Sequence, residues 1–307
     1  AATARGWAGS SNGSGLGWKR QRLGAGLEAA TARDLAGNGN SYRGSLERRR
    51  LWNAMEDRMD FFEYFNISER YIDIINPLSR DKVTLVGERL HLSDGSRVID
   101  FGCGYAEPLT MWAQSFGIGG IGIDIREPAC QRARQKIAKL GLEDRLEIVC
   151  AKGAEYPFAS RVYDAATCLG ASFIWNGIAP TIHAMKRAIH ADGRIAVGEP
   201  YWRSEDAPAK CRELEPSILS EPEIVAIIRR EGFELEYVIR SSQDDWDTYE
   251  ASNWKGLLAW LEENPDHPDR ADVLSYLQKT QDDYTRCFRH HLGWAVYILR
   301  PGSEFSQ

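Results

Sequence analysis

The run Arg97-Val-Ile-Asp-Phe-Gly-Cys-Gly-Tyr-Ala-Glu-Pro108 decides the fold. Five β-prone residues end at Gly102 and Gly104, and Glu107-Pro108 then opens a helix. Glycines after a strand let the backbone turn tightly and approach a ligand that a Cβ would block. A second run, Gly119-Gly-Ile-Gly-Ile-Asp124, places a carboxylate just past a strand tip, 24 residues beyond Asp100. An acidic group there can accept both hydroxyls of a ribose. Together the two runs specify a nucleotide site at the carboxyl ends of parallel strands.

Working outward, strand and helix alternate in steps typical of βαβ units. Strands are expected at 97–101, 119–123, 145–149, 163–169, 193–198, 235–240 and 293–299. Helices are expected at Pro128–Leu140, Ile178–Ile189 and Glu221–Glu231, the last with a capping box of Ser220 and Glu223. Upstream, Arg50 to Phe65 and Ser68 to Leu90 read as helices, with Asn76-Pro77 stopping or kinking the second. The fold class is α/β, a Rossmann-like, doubly wound seven-stranded sheet. Its parts are a basic tail (1–50), a helical cap (51–95), a nucleotide-binding core (96–245), a helical lid between strands six and seven (246–291), and a last strand and tail (292–307).

Composition narrows the class. The 307 residues are 43% hydrophobic and 27% charged, with a formal charge of −6, a balance that speaks against nucleic acid as partner. No stretch is long and apolar enough to predict a membrane span. The first fifty residues carry nine Arg or Lys against three Asp or Glu and ten of the 28 glycines. They read as a disordered tail; an Arg-, Ser- and Ala-rich, acid-poor make-up also resembles an organelle transit segment. The six cysteines are scattered, with no C-x-x-C. That pattern argues against a zinc site and predicts buried free thiols in a reducing, cytosolic compartment.

The glycine cluster resembles motif I of class I S-adenosylmethionine-dependent methyltransferases. A dinucleotide fingerprint requires a third glycine where Glu107 stands, and a carboxylate beside a phosphate would be repulsive. Ala106 departs from the family pattern, which favours glycine there; a methyl group is tolerable at negative φ. The resemblance runs from about Met59 to Arg300. It implies that Asp100, Gly102, Cys103, Gly104 and Ala106 form the donor loop, that Asp124 holds the ribose, and that Ile125 also binds the cofactor. Gly153 and Ala154 would offer backbone groups to the adenine edge, and Leu169 would also bind the cofactor. Lys152 stands at the usual acidic position, with Glu155 as a substitute acceptor. Glu107 could meet the donor's ammonium or only favour its helix N-terminus. The implied cofactor is S-adenosylmethionine, with S-adenosylhomocysteine as product and no metal.

Residues after the strand ends are the acceptor candidates: Trp175 after strand four, and Glu199, Tyr201 and Trp202 after strand five. Trp246 and Tyr249 would come from the lid. Glu199, placed in a turn at a strand tip, is the candidate base, with Tyr64 and Tyr201 orienting. The insertion before the last strand carries Trp246, Tyr249, Trp254 and Trp260, too aromatic for disorder. It reads as a lid closing with Phe61-Phe-Glu-Tyr-Phe65 over the donor. The leading reading is methyl transfer to a small-molecule acceptor. The alternatives are a methylase of protein or nucleic acid, and a non-catalytic donor-binding protein. Cyclopropane formation on lipids would want a basic apolar membrane-facing surface, which the core lacks. The sequence carries no sign of oligomeric state.

Overall fold

The computed structural model describes residues 61–302. The basic tail and the first part of the expected cap, up to residue 60, lie outside them. The described chain begins with α1 (Phe61–Ser68) and a 3₁₀ turn at Glu69–Tyr71. An irregular segment through Asn76-Pro77 leads to α2 (Arg80–Arg89). The helix expected at Ser68 to Leu90 is therefore broken, not kinked. Pro77 keeps its predecessor out of the helical region, and Ser79 restarts the helix by accepting a hydrogen bond from Lys82 N at 3.3 Å.

The core then alternates β1 (Arg97–Phe101), α3 (Glu107–Phe116), β2 (Gly119–Asp124), α4 (Glu127–Leu140), β3 (Leu146–Cys150) and β4 (Tyr163–Leu169). Next come α5 (Ile178–Lys186), β5 (Ile189–Trp202), α6 (Glu221–Arg230) and β6 (Phe233–Arg240). Two long helices, α7 (Gln243–Glu263) and α8 (Arg270–Asp283), precede β7 (Leu292–Pro301). The seven strands lie in the order β3-β2-β1-β4-β5-β7-β6, with β7 antiparallel to both neighbours. This is the expected doubly wound sheet. The capping box of α6 forms, with Glu223 accepting from Ser220 N at 2.7 Å.

Period-2 alternation puts one set of strand residues on each face. Val98, Ala165, Ala196 and Val296 pack with Trp112 and Ile137 of α3 and α4 on one side. Ile99, Phe101, Ile195 and Tyr297 pack with Ile182 and Ile224 of α5 and α6 on the other. β7 is buried at eight consecutive positions, Leu292 to Leu299, because strands flank it and both faces are covered. That double cover explains its unbroken apolar sequence.

A third, smaller core joins Tyr64 and Ile67 of α1 to Leu257, Leu261, Val273 and Leu277 of the lid helices. Gly256 makes this docking possible. A Cβ there would lie 2.4 Å from Ser68 O, so only glycine lets α7 cross α1 backbone to backbone.

The cysteine expectation is corrected. Cys211 and Cys287, 76 residues apart, form a disulfide that ties a helical turn after β5 to the chain leaving α8. Sequence spacing gives no sign of a pairing made by tertiary proximity. Cys103, Cys130, Cys150 and Cys168 are not in disulfides. The cysteines thus no longer argue for a reducing compartment. No helix among the described residues is long and apolar enough to cross a membrane.

Candidate donor and acceptor sites

The loop after β1 is built from positive φ angles: Gly102 at +74°, Gly104 at +55° and Ala106 at +55°. A Cβ on Gly102 would meet Ala171 Cβ at 2.4 Å, and one on Gly104 would meet Ile75 Cδ1 at 2.7 Å. Ala106 contradicts the expectation of negative φ. It is fully buried in the left-handed region as the residue capping α3, a conformation that costs an L-residue about 1–2 kcal/mol. The surrounding loop imposes it: Ala106 N donates to Cys103 O at 2.9 Å and Thr110 N to Ala106 O at 3.0 Å.

Inside the loop, Gly102 N and Cys103 N both donate to Ile123 O, at 2.8 and 3.1 Å. Cys103 therefore spends its backbone N–H on β2. Burial, then Asp124 and Asp100, push its thiol well above the ordinary range, which suits an inert packing residue. Asp124 joins the two strand ends, accepting from Gly104 N at 2.9 Å and Arg126 N at 2.8 Å. A carboxylate has about four acceptor positions, so two bonds leave capacity for a ribose diol. Ile125 lies between Asp124 and Arg126. Asp100 is buried beneath the loop and accepts from Thr167 Oγ1 at 2.6 Å.

In the turn expected to face the adenine, Gly153 is packed close to Ile174 and Phe101. It sits in a turn where Glu155 N and Tyr156 N donate to Lys152 O, with Ala154 at its crest. Lys152 pairs with Glu155 at 3.1 Å, so Glu155 is engaged with the residue it was expected to replace. Leu169 ends β4 opposite Gly198. Glu107 does not wait for a donor ammonium. It is bound by Arg80 and Lys136; burial pushes its carboxyl up, but the two cations hold it below the usual range.

The acceptor candidates are divided. Glu199 and Tyr201 are not in a turn but inside β5, opposite Ala295 and Gly293 of β7. Both are buried and, two apart, share one face of the sheet. Trp202 points to the other face, where Arg212 lies 5.1 Å from its ring centroid. Trp175 packs edge-on against Phe101 with centroids 4.9 Å apart. Tyr64 belongs to the separate cap–lid core, its ring 4.7 Å from that of Tyr276. Burial, then Asp272 and Asp269, push its phenol up to about 12. Trp246 and Tyr249 lie on α7; Trp246 is buried and donates to Glu250 at 3.3 Å.

Four participants escaped the sequence reading. Ile75 and Asn76 cross the strand ends, with Asn76 Oδ1 2.7 Å from where a Cβ on Gly170 would lie. The Trp294 ring lies against Gly170 and Gly198. Glu69 pairs with Arg126 at 2.7 Å, fastening the cap to the end of β2. The break at Asn76-Pro77 was the only local signal for any of them. Among the described residues, no group of three His, Cys, Asp or Glu is placed to hold a metal ion.

The cradle thus fits an adenosyl group by its glycine geometry and by the remaining acceptor capacity of Asp124. Comparison with known proteins agrees. Residues 98–193 match a family model described as a methyltransferase domain. The uncharacterised protein YjhP of Escherichia coli K12 is 32% identical over 246 residues, spanning 78% of this chain and 99% of that protein. A SAM-dependent methyltransferase from Thiobacillus denitrificans, solved with S-adenosyl-L-homocysteine, superposes with a TM-score of 0.74 at 32% identity, covering 79% of this chain and 100% of that one. The 27-O-demethylrifamycin SV methyltransferase of Amycolatopsis mediterranei is 26% identical over 216 residues, 66% of this chain and 77% of that enzyme. Strand order, glycine loop, Asp124 and these relatives converge: the chain belongs to the class I S-adenosylmethionine-dependent methyltransferases.

Proposed function

We propose that the enzyme moves the methyl group to a small-molecule acceptor by direct in-line displacement. S-adenosylmethionine supplies a methyl carbon on a positively charged sulfur. The protein therefore needs to orient the partners, exclude water and accept a proton where the acceptor carries one. In this reading Asp100, Gly102, Cys103, Gly104 and Ala106 shape the donor loop, and Asp124 with Ile125 fixes the ribose. Gly153 and Ala154 border the adenine, and Leu169 contributes to the donor site.

The observation that carries the reading is the roof over the strand ends. Ile75 and Asn76 lie against Gly104 and Gly170, Trp294 lies against Gly170 and Gly198, and α7 is locked onto α1 at Gly256. Such a roof admits a compact acceptor and obstructs a duplex or a folded protein surface. The likeness to an enzyme named for methylating a rifamycin supports the same class of acceptor. Glu199, buried beside Tyr201, is the proposed base for a hydroxyl, thiol or amine acceptor; Glu199→Gln should then lower turnover and alter its pH profile.

Incubating the enzyme with labelled S-adenosylmethionine and a host extract, then separating by size, tests the proposal. Label should enter the low-mass fraction. Label confined to protein or nucleic acid would overturn it.

A further inference from the structure

Between the 3₁₀ turn at Glu69–Tyr71 and α2, the chain crosses the ends of the sheet as an irregular strap. The strand order puts the switch point between β1 and β4, where doubly wound sheets hold their ligands. Ile75 lies against Gly104 beyond β1, and Asn76 against Gly170 beyond β4. The strap therefore spans that crevice.

Its own backbone does little to hold it there. Among the described residues, none of the backbone N–H groups of Asp73, Ile74, Ile75 and Asn76 donates a hydrogen bond. Segments with so few internal bonds are the ones that open locally. Side chains from the core fasten the two ends instead. At the first end, Arg132 of α4 donates from Nη1 to Arg70 O at 3.1 Å and from Nη2 to Ile72 O at 2.9 Å. Nη2 also reaches Asp73 Oδ1 at 3.1 Å, but that side chain is 65% exposed and such a pair contributes little. At the far end, Ser241 Oγ donates to Pro77 O.

The Arg132 guanidinium has a second contact, with the donor loop. It lies over the ring of Tyr105, 3.9 Å from the centroid. Tyr105 is 5% exposed and stands between Gly104 and Ala106. Strap and loop thus meet at two adjacent positions, Gly104 through Ile75 and Tyr105 through Arg132. A planar fork that donates to two carbonyls while stacking on a ring is a geometry lysine does not reproduce.

We infer that residues 72–78 are the gate for donor entry and product release, and that Arg132 is the positioning residue that latches this gate to the donor loop. The latch sets how often the crevice opens, so its loss speeds passage in both directions instead of spoiling contacts to the donor. The inference rests on the donor placement given above and is independent of the acceptor.

Association and dissociation rates of S-adenosylhomocysteine, measured by surface plasmon resonance on the immobilised enzyme, test it. Arg132→Leu removes hydrogen bonds from a charged group and should raise both rates about tenfold or more, with the equilibrium constant moving less than either. Arg132→Lys, which keeps the charge but loses the fork, should fall between that variant and the wild type. Ser241→Ala, which loosens the far end of the strap, should also raise both rates. Asp73→Asn, which removes only the exposed pair, should leave both within about twofold of the wild type. A dissociation rate that rises in Arg132→Leu while association is unchanged or slower would mark a damaged site and overturn the latch. Unchanged rates in both Arg132→Leu and Ser241→Ala would overturn it as well. Binding that Asp124→Ala leaves unaltered would overturn the donor placement itself and the gate with it, so the two failures are told apart.

Discussion

Glu69 and Arg126 form an ion pair of 2.7 Å whose side chains are 5% and 11% exposed. It joins the cap to the residue two beyond Asp124. Arg126 thus holds the cap with its side chain and the Asp124 carboxylate with its backbone N–H. The position of the cap and that of Asp124 are in this way linked through one side chain.

Removing one member of a buried pair leaves the other charge uncompensated, at a cost of about 3–5 kcal/mol. Arg126→Met should destabilise by roughly that amount and weaken S-adenosylhomocysteine binding. The double variant Glu69→Gln, Arg126→Met should recover much of the stability, measured by urea unfolding. A double variant no more stable than the single one would show that the pair is not the coupling element.

Gly102 and Gly104 both sit at positive φ, but their neighbours differ. A new Cβ at Gly102 meets Ala171 Cβ, which is fixed to backbone, whereas one at Gly104 meets the flexible tip of Ile75. Gly102→Ala should therefore reduce donor affinity more than Gly104→Ala, each paying at least the left-handed penalty of about 1–2 kcal/mol. Calorimetry on the two variants gives the order, and the reverse order would contradict this packing.

The Cys211–Cys287 link closes a long loop, and such links commonly stabilise by about 2–4 kcal/mol. The denatured, unreduced protein should titrate four thiols rather than six. Cys211→Ser with Cys287→Ser should lower stability to the level of the reduced wild type. Six free thiols would show that the link does not form.

Asp100 gives a pH dependence of definite sign. Burial, against its hydrogen bond from Thr167, holds its carboxyl up at about 7 in the native state, compared with about 3.9 unfolded. Between those values the native state binds the proton that the unfolded state has lost, so stability falls as pH rises. The contribution is full below about pH 4 and gone above about pH 7. Asp100→Asn, which still accepts from Thr167, should flatten that part of the stability–pH curve; an unchanged slope would assign it to other groups.

Much of the fold was legible because strand ends announce themselves locally. Asp100-Phe-Gly and Gly-Ile-Asp124 each state a strand and its tip within a few positions. What was not legible depends on distant neighbours. The φ of Ala106 is imposed by the loop closing on Cys103 and Thr110. Glu199 reads as a turn residue because its pairing partner, Ala295, is almost a hundred positions away. Ile75, Asn76 and Trp294 reach the site only because the cap and β7 are laid over it.

The most direct test of the account is calorimetric titration of S-adenosylhomocysteine into the wild type and Asp124→Ala. The account expects saturable one-site binding, weakened at least about tenfold by a substitution that removes the carboxylate serving the ribose. Equal affinity in the two proteins would contradict the placement of the donor at this strand end.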